Sequence, residues 1–227
     1  MIREFLDINN AAFSLIGYDI SWLELLGTAF GLWCVWLTAK DKWTNWPIGI
    51  INIVLFFLLF WQIRLYSDMF LQILFLVASF IGWYKWLKPD KNQADPKGML
   101  KISFNSSRTN FIWFLILIVG TLVWTQFIIN VNLWFPEIFP EPAAYPYWDA
   151  LTTVGSMIAI TLQAKKKMES WYVWIACDIV DFVLYLFKGT LFLGLEYLVF
   201  IGICIIGLIG WWKEYKGYDS GAIPDGK

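Results

Sequence analysis

Two carboxylates stand inside the apolar run WYVWIACDIVDFVLY (171–185), at Asp178 and Asp181. Trp171, Trp174, Asp178, Asp181 and Tyr185 are spaced 3, 4, 3, 4, and a helix brings residues so spaced onto one stripe. The opposite face carries Val173, Ile175, Ala176, Ile179, Val180 and Val183, fit for lipid or for packing. A carboxylate at a bilayer centre costs about 2.5–3.5 kcal/mol on insertion scales. Such a group belongs to a substrate path or to an internal partner, and Lys188 or Arg64 could serve as counter-ion. Asp178, nearer the middle of the run, is the one chosen for ligand contact. Aromatic faces beside a carboxylate suit a flat cationic ring, through stacking and cation–π attraction. Asn52, Gln72 and Ser156 add polar groups at similar depth elsewhere. An amide there either orients a polar ligand or ties neighbouring helices together. Trp43 and Trp46 sit nearer the end of their run, as interface residues or as part of the same site.

Composition sets the solvent for the elements that carry these groups. The chain is 59% hydrophobic and 15% charged, with mean hydropathy +0.59, a surplus of apolar residues that one soluble core cannot hide. Lipid must cover the rest, and sixteen Trp with ten Tyr suit residues at headgroup depth. A net charge of −1 provides no basic field and argues against a nucleic-acid partner. Cys34, Cys177 and Cys204 lie in apolar stretches without CxxC spacing and read as small buried hydrophobes. The absence of histidine removes triads, HExxH zinc sites and histidine relays together. No enzyme activity and no cofactor are expected.

Helical spans of about 20 mostly apolar residues are predicted at 20–38, 46–63, 66–87, 109–130, 148–163, 171–187 and 191–212. The fold class is thus an all-α integral membrane protein. Residues 1–19, with Arg3, Glu4 and Asp7 and no continuous apolar run, read as an amphipathic helix lying in the interface, not as a signal peptide. With seven spans, one side collects Lys40, Lys42, Lys85, Lys88, Lys91, Lys97, Lys101, Arg108, Lys165, Lys166, Lys167, Lys213, Lys216 and Lys227. The other side receives only Arg3, Arg64 and Lys188, so the N-terminus is expected outside and the C-terminus in the cytoplasm. The stretch 88–108 reads as a polar cytoplasmic linker, and the four prolines of 136–149 as a short rigid outer connection. Pro47 and Gly49 mark a helix boundary or a hinge.

An internal repeat organises the spans. LTAKDKWTNWPIGIIN (37–52) aligns with LQAKKKMESWYVWIAC (162–177) at an offset of 125. YSDMFLQILFLVASFIGWYKW (66–86) aligns with GLEYLVFIGICIIGLIGWWKEY (194–215) at 128, which places Asn52 within one residue of the repeat position of Asp178 and Phe200 at that of Gln72. Three-helix units in the same orientation need one extra span between them, which predicts a 3+1+3 order of parallel repeats. The expected divisions are 1–19, the first repeat 20–87, linker and linking helix 88–130, the outer loop 131–147, the second repeat 148–213 and the tail 214–227.

The motifs Trp46-Pro47-x-Gly49-x-x-Asn52, Leu65-Tyr66-x-Asp68-x-x-Leu71-Gln72 and Gly82-Trp83-Tyr84-x-Trp86 resemble the first half of the PnuC family of bacterial vitamin transporters. Trp171-x-x-Trp174-x-x-x-Asp178 and Leu184-Tyr185-x-x-Lys188-Gly189 resemble its second half, so the likeness covers 43–88 and 149–215. The resemblance implies a SWEET-like seven-span fold in a bacterial inner membrane, and facilitated diffusion of nicotinamide riboside trapped by cytoplasmic phosphorylation. It also implies a homo-oligomer, a trimer. Asn52, Gln72, Trp174 and Asp178 then become candidate substrate contacts, followed by Trp46, Trp171, Tyr185 and Tyr197. Transport of thiamine or another cationic vitamin, and proton-coupled uptake of a sugar or nucleoside through Asp178, are the alternatives, with a non-transporting scaffold behind them.

Overall fold

The first helix begins at a reciprocal cap. The Ser21 hydroxyl accepts the Glu24 N–H at 3.1 Å, and the Glu24 carboxylate accepts the Ser21 N–H at 3.2 Å. In the computed structural model, which describes residues 6–15, 18–62, 66–95, 98–137, 145–187 and 191–219, seven long helices follow. They are α1 (Trp22–Ala39), α2 (Asn45–Gln62), α3 (Tyr66–Leu87), α4 (Ser107–Trp134), α5 (Pro146–Ala164), α6 (Glu169–Phe187) and α7 (Leu191–Asp219). The Ser106 hydroxyl caps α4 by accepting the Thr109 N–H at 3.2 Å, and Pro146 opens α5, where a missing N–H costs nothing. Pro47 lies in the first turn of α2 and so acts there as a boundary residue.

All seven predicted spans are present as helices; α7 runs on to Asp219, past the expected end at 212. Five of them, α1, α2, α3, α4 and α7, are long and apolar enough to cross a membrane by length and composition. α4 is exposed around most of its circumference through Phe111, Phe114, Ile118, Leu122 and Val123, and it packs along α5. Such a surface needs lipid over it. The other six helices pack as α1–α2–α3 and α5–α6–α7, joined where α1 meets α7 and α3 meets α5.

At the end that carries the α1–α2 and α5–α6 turns, one packing arrangement occurs twice. The Trp46 and Trp86 rings meet edge to face with centroids 5.3 Å apart; Trp171 and Trp211 do the same at 5.3 Å. A methyl group at Gly82 would overlap the Trp46 ring, and one at Gly207 would overlap the Trp171 ring. Trp86 Nε1 donates to the Gln163 carbonyl at 3.1 Å, while Trp211 Nε1 donates to the Thr38 carbonyl at 2.9 Å. Asp41 (φ 53°) and Lys166 (φ 51°) are left-handed residues in the two turns. Every one of these pairs is separated by 125 positions. The offset of 128 expected for the third helix of each set is therefore corrected to 125. The local likeness of GWYKW to GWWKE pulls a sequence alignment three residues off, whereas the packing matches Trp86 with Trp211. In this register Asn52 corresponds to Cys177, Ile53 to Asp178, and Gln72 to Tyr197 rather than Phe200.

Two other expectations change. The described part of the N-terminal segment is no interfacial helix: Ala11–Leu15 (β1) pairs antiparallel with Tyr18–Ser21 (β2). Asp7, Asn9 and Asn10 are poor helix residues, and Gln62 of α2 holds the approach in place, accepting the Ile8 N–H at 3.0 Å and donating to the Leu6 carbonyl at 2.7 Å. The stretch 88–108 is more than a polar tether. Leu100 and Ile102 enter the tryptophan core, because the Leu100 N–H reaches the Trp86 carbonyl and Ser103 pairs with the backbone around Lys167. Of the outer loop, 138–144 lies outside the described residues.

Candidate functional site

Along α6 the burial has helical period. Tyr172, Ala176, Ile179, Val183 and Leu186 are exposed, Trp171 and Asp178 are buried, and Trp174 and Asp181 are half-buried. The predicted stripe faces inward, because its apolar counterpart is the side left uncovered. Asp178 is 7% exposed and accepts a weak hydrogen bond from the Cys204 thiol of α7, with the sulfur 3.6 Å from Oδ2. Lys188 and Arg64, the proposed counter-ions, lie outside the described residues, as does the Tyr185 side chain. One turn before Asp178, the Trp174 indole N–H donates to Gln163 Oε1 of α5 at 2.8 Å. Its ring stands edge-on to Phe75 of α3, centroids 6.3 Å apart.

Asn52 reaches the same interior from α2. Its Nδ2 donates to the Gly27 carbonyl of α1 at 2.8 Å. Gly31 is the residue that permits this approach: a methyl there would lie 2.9 Å from Asn52 Nδ2 and 3.9 Å from the Phe200 ring of α7. Tyr197, Phe200 and Cys204, spaced 3 and 4, form one stripe of α7. Its Phe200 end meets Asn52 across Gly31, and its Cys204 end meets Asp178. The fold thus links Asn52, Asp178 and Tyr197 through α7, while Trp174 packs on Phe75 of α3. Tyr197 packs against Phe200 with centroids 6.3 Å apart.

Gln72 is buried one turn before Phe75 on α3, at a groove of about 310 Å³ between α2 and α3 whose walls include Ile53, Phe57 and Leu76. Ser156, half-buried on α5, hydrogen-bonds the Cys177 thiol. Trp46 and Trp171 are not brought to these groups directly. Both are almost fully buried in the tryptophan core, each with an indole N–H that has no hydrogen-bond partner among the described residues. There they pack helices together. Gln163 and Phe75 were not singled out from sequence, and Phe200 and Cys204 were named there only as the counterpart of Gln72 and as a buried hydrophobe. Gln163 sits on the far side of a turn from Trp174, where no helical period can pair them, and an apolar residue in an apolar span carries no signal of its own.

Charge gathers at the turn end. Lys166, fully buried, donates to Asp41 Oδ2 at 2.8 Å, lies 2.7 Å from Oδ1 in the same ion pair, and stands 4.9 Å over the Trp86 ring. Carboxylate oxygens of Asp41, Asp95 and Glu214 lie within 4.8 Å of one another there. Burial pushes the Asp41 carboxyl up to about 7 against the pull of the Lys166 ammonium, and Glu214 and Asp95 add to the rise. Burial also lowers Lys167, whose ammonium donates to Ser103 Oγ at 2.9 Å.

Apolar helices that enclose a carboxylate, two amides and aromatic rings in their interior are the build of a multi-pass membrane transporter rather than of a soluble binding domain. The chain belongs to the nicotinamide mononucleotide transporter family, whose model matches residues 21–213. It is 30% identical over 225 residues to the nicotinamide riboside transporter PnuC of Escherichia coli, covering 91% of this chain and 92% of that one. To the riboflavin/roseoflavin transporter RibM of Streptomyces davaonensis it is 26% identical, covering 96% and 97%. Its fold is similar to a crystal structure of the vitamin B3 transporter PnuC, with a TM-score of 0.67 and 25% identity over 87% of this chain and 83% of that one.

Proposed function

We propose that the chain takes up nicotinamide riboside by facilitated diffusion across a bacterial inner membrane, with phosphorylation in the cytoplasm trapping the product. The observation that carries this reading is the Trp174 indole one turn from the buried Asp178 on the inward stripe of α6. Nicotinamide riboside is a cationic pyridinium with a carboxamide and ribose hydroxyls. An indole face and a carboxylate suit the ring and its charge, and Asn52, Gln72 and Tyr197 offer groups for the rest. The names of the relatives agree with this substrate. Tyr185 is a further contact in this reading, while Trp46 and Trp171 support the site from the core.

The reading includes a 3+1+3 order: repeats 20–87 and 148–213, with the linking helix of 88–130 between them and the 131–147 loop outside. The packing that recurs 125 residues apart supports the repeat, and the lysine distribution supports an outer N-terminus and a cytoplasmic tail, 214–227. The assembly is proposed as a homotrimer, and the ligand lies near midplane between the repeats.

Calorimetry of the purified protein against nicotinamide riboside, thiamine and riboflavin tests the substrate. Saturable binding of nicotinamide riboside is expected. No binding at high micromolar concentration overturns the choice, and preferential riboflavin binding would align the chain with its RibM-like relative. Uptake into vesicles should ignore an imposed proton gradient; acceleration by one would assign Asp178 to coupling instead.

A further inference from the structure

Gln163 has two jobs in this fold, and they differ in symmetry. Its backbone carbonyl accepts the Trp86 indole N–H, just as the Thr38 carbonyl, 125 positions earlier, accepts that of Trp211. Its side chain does something that Thr38 does not. Oε1 accepts the Trp174 indole N–H at 2.8 Å, while the Thr38 hydroxyl takes a hydrogen bond from Asn45 at 2.8 Å. Position 49, which corresponds to Trp174, is a glycine packed against Cys34, so the first set has no indole to hold. An indole N–H only donates, which makes the amide oxygen, not its nitrogen, the atom that faces Trp174. Gln163 is buried, and its helix is a different one from that of Trp174, so the bond fixes the ring against an independent element.

We infer that Gln163 is a positioning residue for the ligand: it sets the plane of the Trp174 ring, against which Phe75 packs edge to face, so that the face is presented to a flat cationic substrate without a reorientation cost on binding. This inference rests on the reading that Trp174 contacts the ligand. An unconstrained indole would have to be ordered by each ligand, which weakens binding roughly two- to tenfold.

The test is a double-mutant cycle with nicotinamide riboside as probe, read by calorimetry, with thermal melting as the check on folding. Gln163→Met, close in shape but without an acceptor, should weaken binding roughly three- to tenfold. Gln163→Glu, which keeps an acceptor oxygen, should restore most of it. In a Trp174→Phe background, Gln163→Met should have no further effect. Wild-type affinity in Gln163→Met, or full additivity with Trp174→Phe, overturns the inference. Wild-type affinity in Trp174→Phe instead overturns the contact reading on which it rests. Should Gln163→Met not fold, the wild-type protein decides: the Trp174 indole proton, assigned by its loss in Trp174→Phe, should exchange slowly with solvent, and fast exchange sinks the idea.

Discussion

The sets α1–α3 and α5–α7 share a scaffold and differ in chemistry. Both bury a tryptophan pair with a glycine beneath it, and Trp86 and Trp211 each bond the helix end of the other set. That exchange ties the two together, so a change of packing in one would have to be matched in the other. Interior positions carry no such tie. Gly49 corresponds to Trp174, Ile53 to Asp178, Asn52 to Cys177, and Gln72 to Tyr197. A small ligand without two-fold symmetry gains nothing from duplicated contacts, and one carboxylate suffices for one positive charge.

The largest expected effect tests the shared scaffold. Trp86→Ala and Trp211→Ala should each cost about 3–5 kcal/mol, since each removes a buried ring. Melting of the detergent-purified protein should fall by about 10 °C in both. A loss in one variant only would break the equivalence. Next in size is Asp178→Asn, expected to weaken nicotinamide riboside binding about tenfold or more by removing the charge partner. Its counterpart Ile53→Val should leave affinity within about twofold, a change below half a kcal/mol. Equal effects would mean that Asp178 acts through packing. Asn52→Ala should weaken binding roughly threefold to tenfold, the worth of a lost polar contact, while Cys177→Ala should change it little.

The smallest effect concerns the charged turns. The Asp41 carboxyl titrates near 7 in the folded chain against an ordinary value of 3.8. Between those values the folded chain holds a proton that the unfolded chain has released, so this group's contribution to stability falls as pH rises from about 4 to about 7. It is complete below 4 and lost above 7. Asp41→Asn should flatten that part of the pH profile of the melting temperature, by a few degrees. Asp41 faces Lys166, Glu214 and Asp95 there. An unchanged slope would mean that Asp41 is not the group behind it.

Much of the fold was legible before any coordinates. Seven apolar runs gave seven helices with small errors at the ends, because the length a bilayer demands leaves little choice of boundary. The 3-4-3-4 spacing of α6 faced inward as expected, since a helix with one polar stripe has one way to bury it. The N-terminal hairpin was misread because its order depends on Gln62, more than fifty positions away. The core packing of Trp46 and Trp171 was not legible, because tryptophan serves cores and binding faces alike, and only the fold sets each ring against its glycine.

What the sequence by itself determined is what depends on local period and solvent: the membrane environment, the helices, and the buried stripe with Asp178. Tertiary structure alone decided the spacing of 125 between the two tryptophan packings, the reciprocal bonds of Trp86 and Trp211, and the pairing of Gln163 with Trp174. Each of these joins side chains on different helices. Their relative height and rotation are set by close packing in three dimensions, where a shift of three residues turns a helix by most of a turn and leaves its composition unchanged.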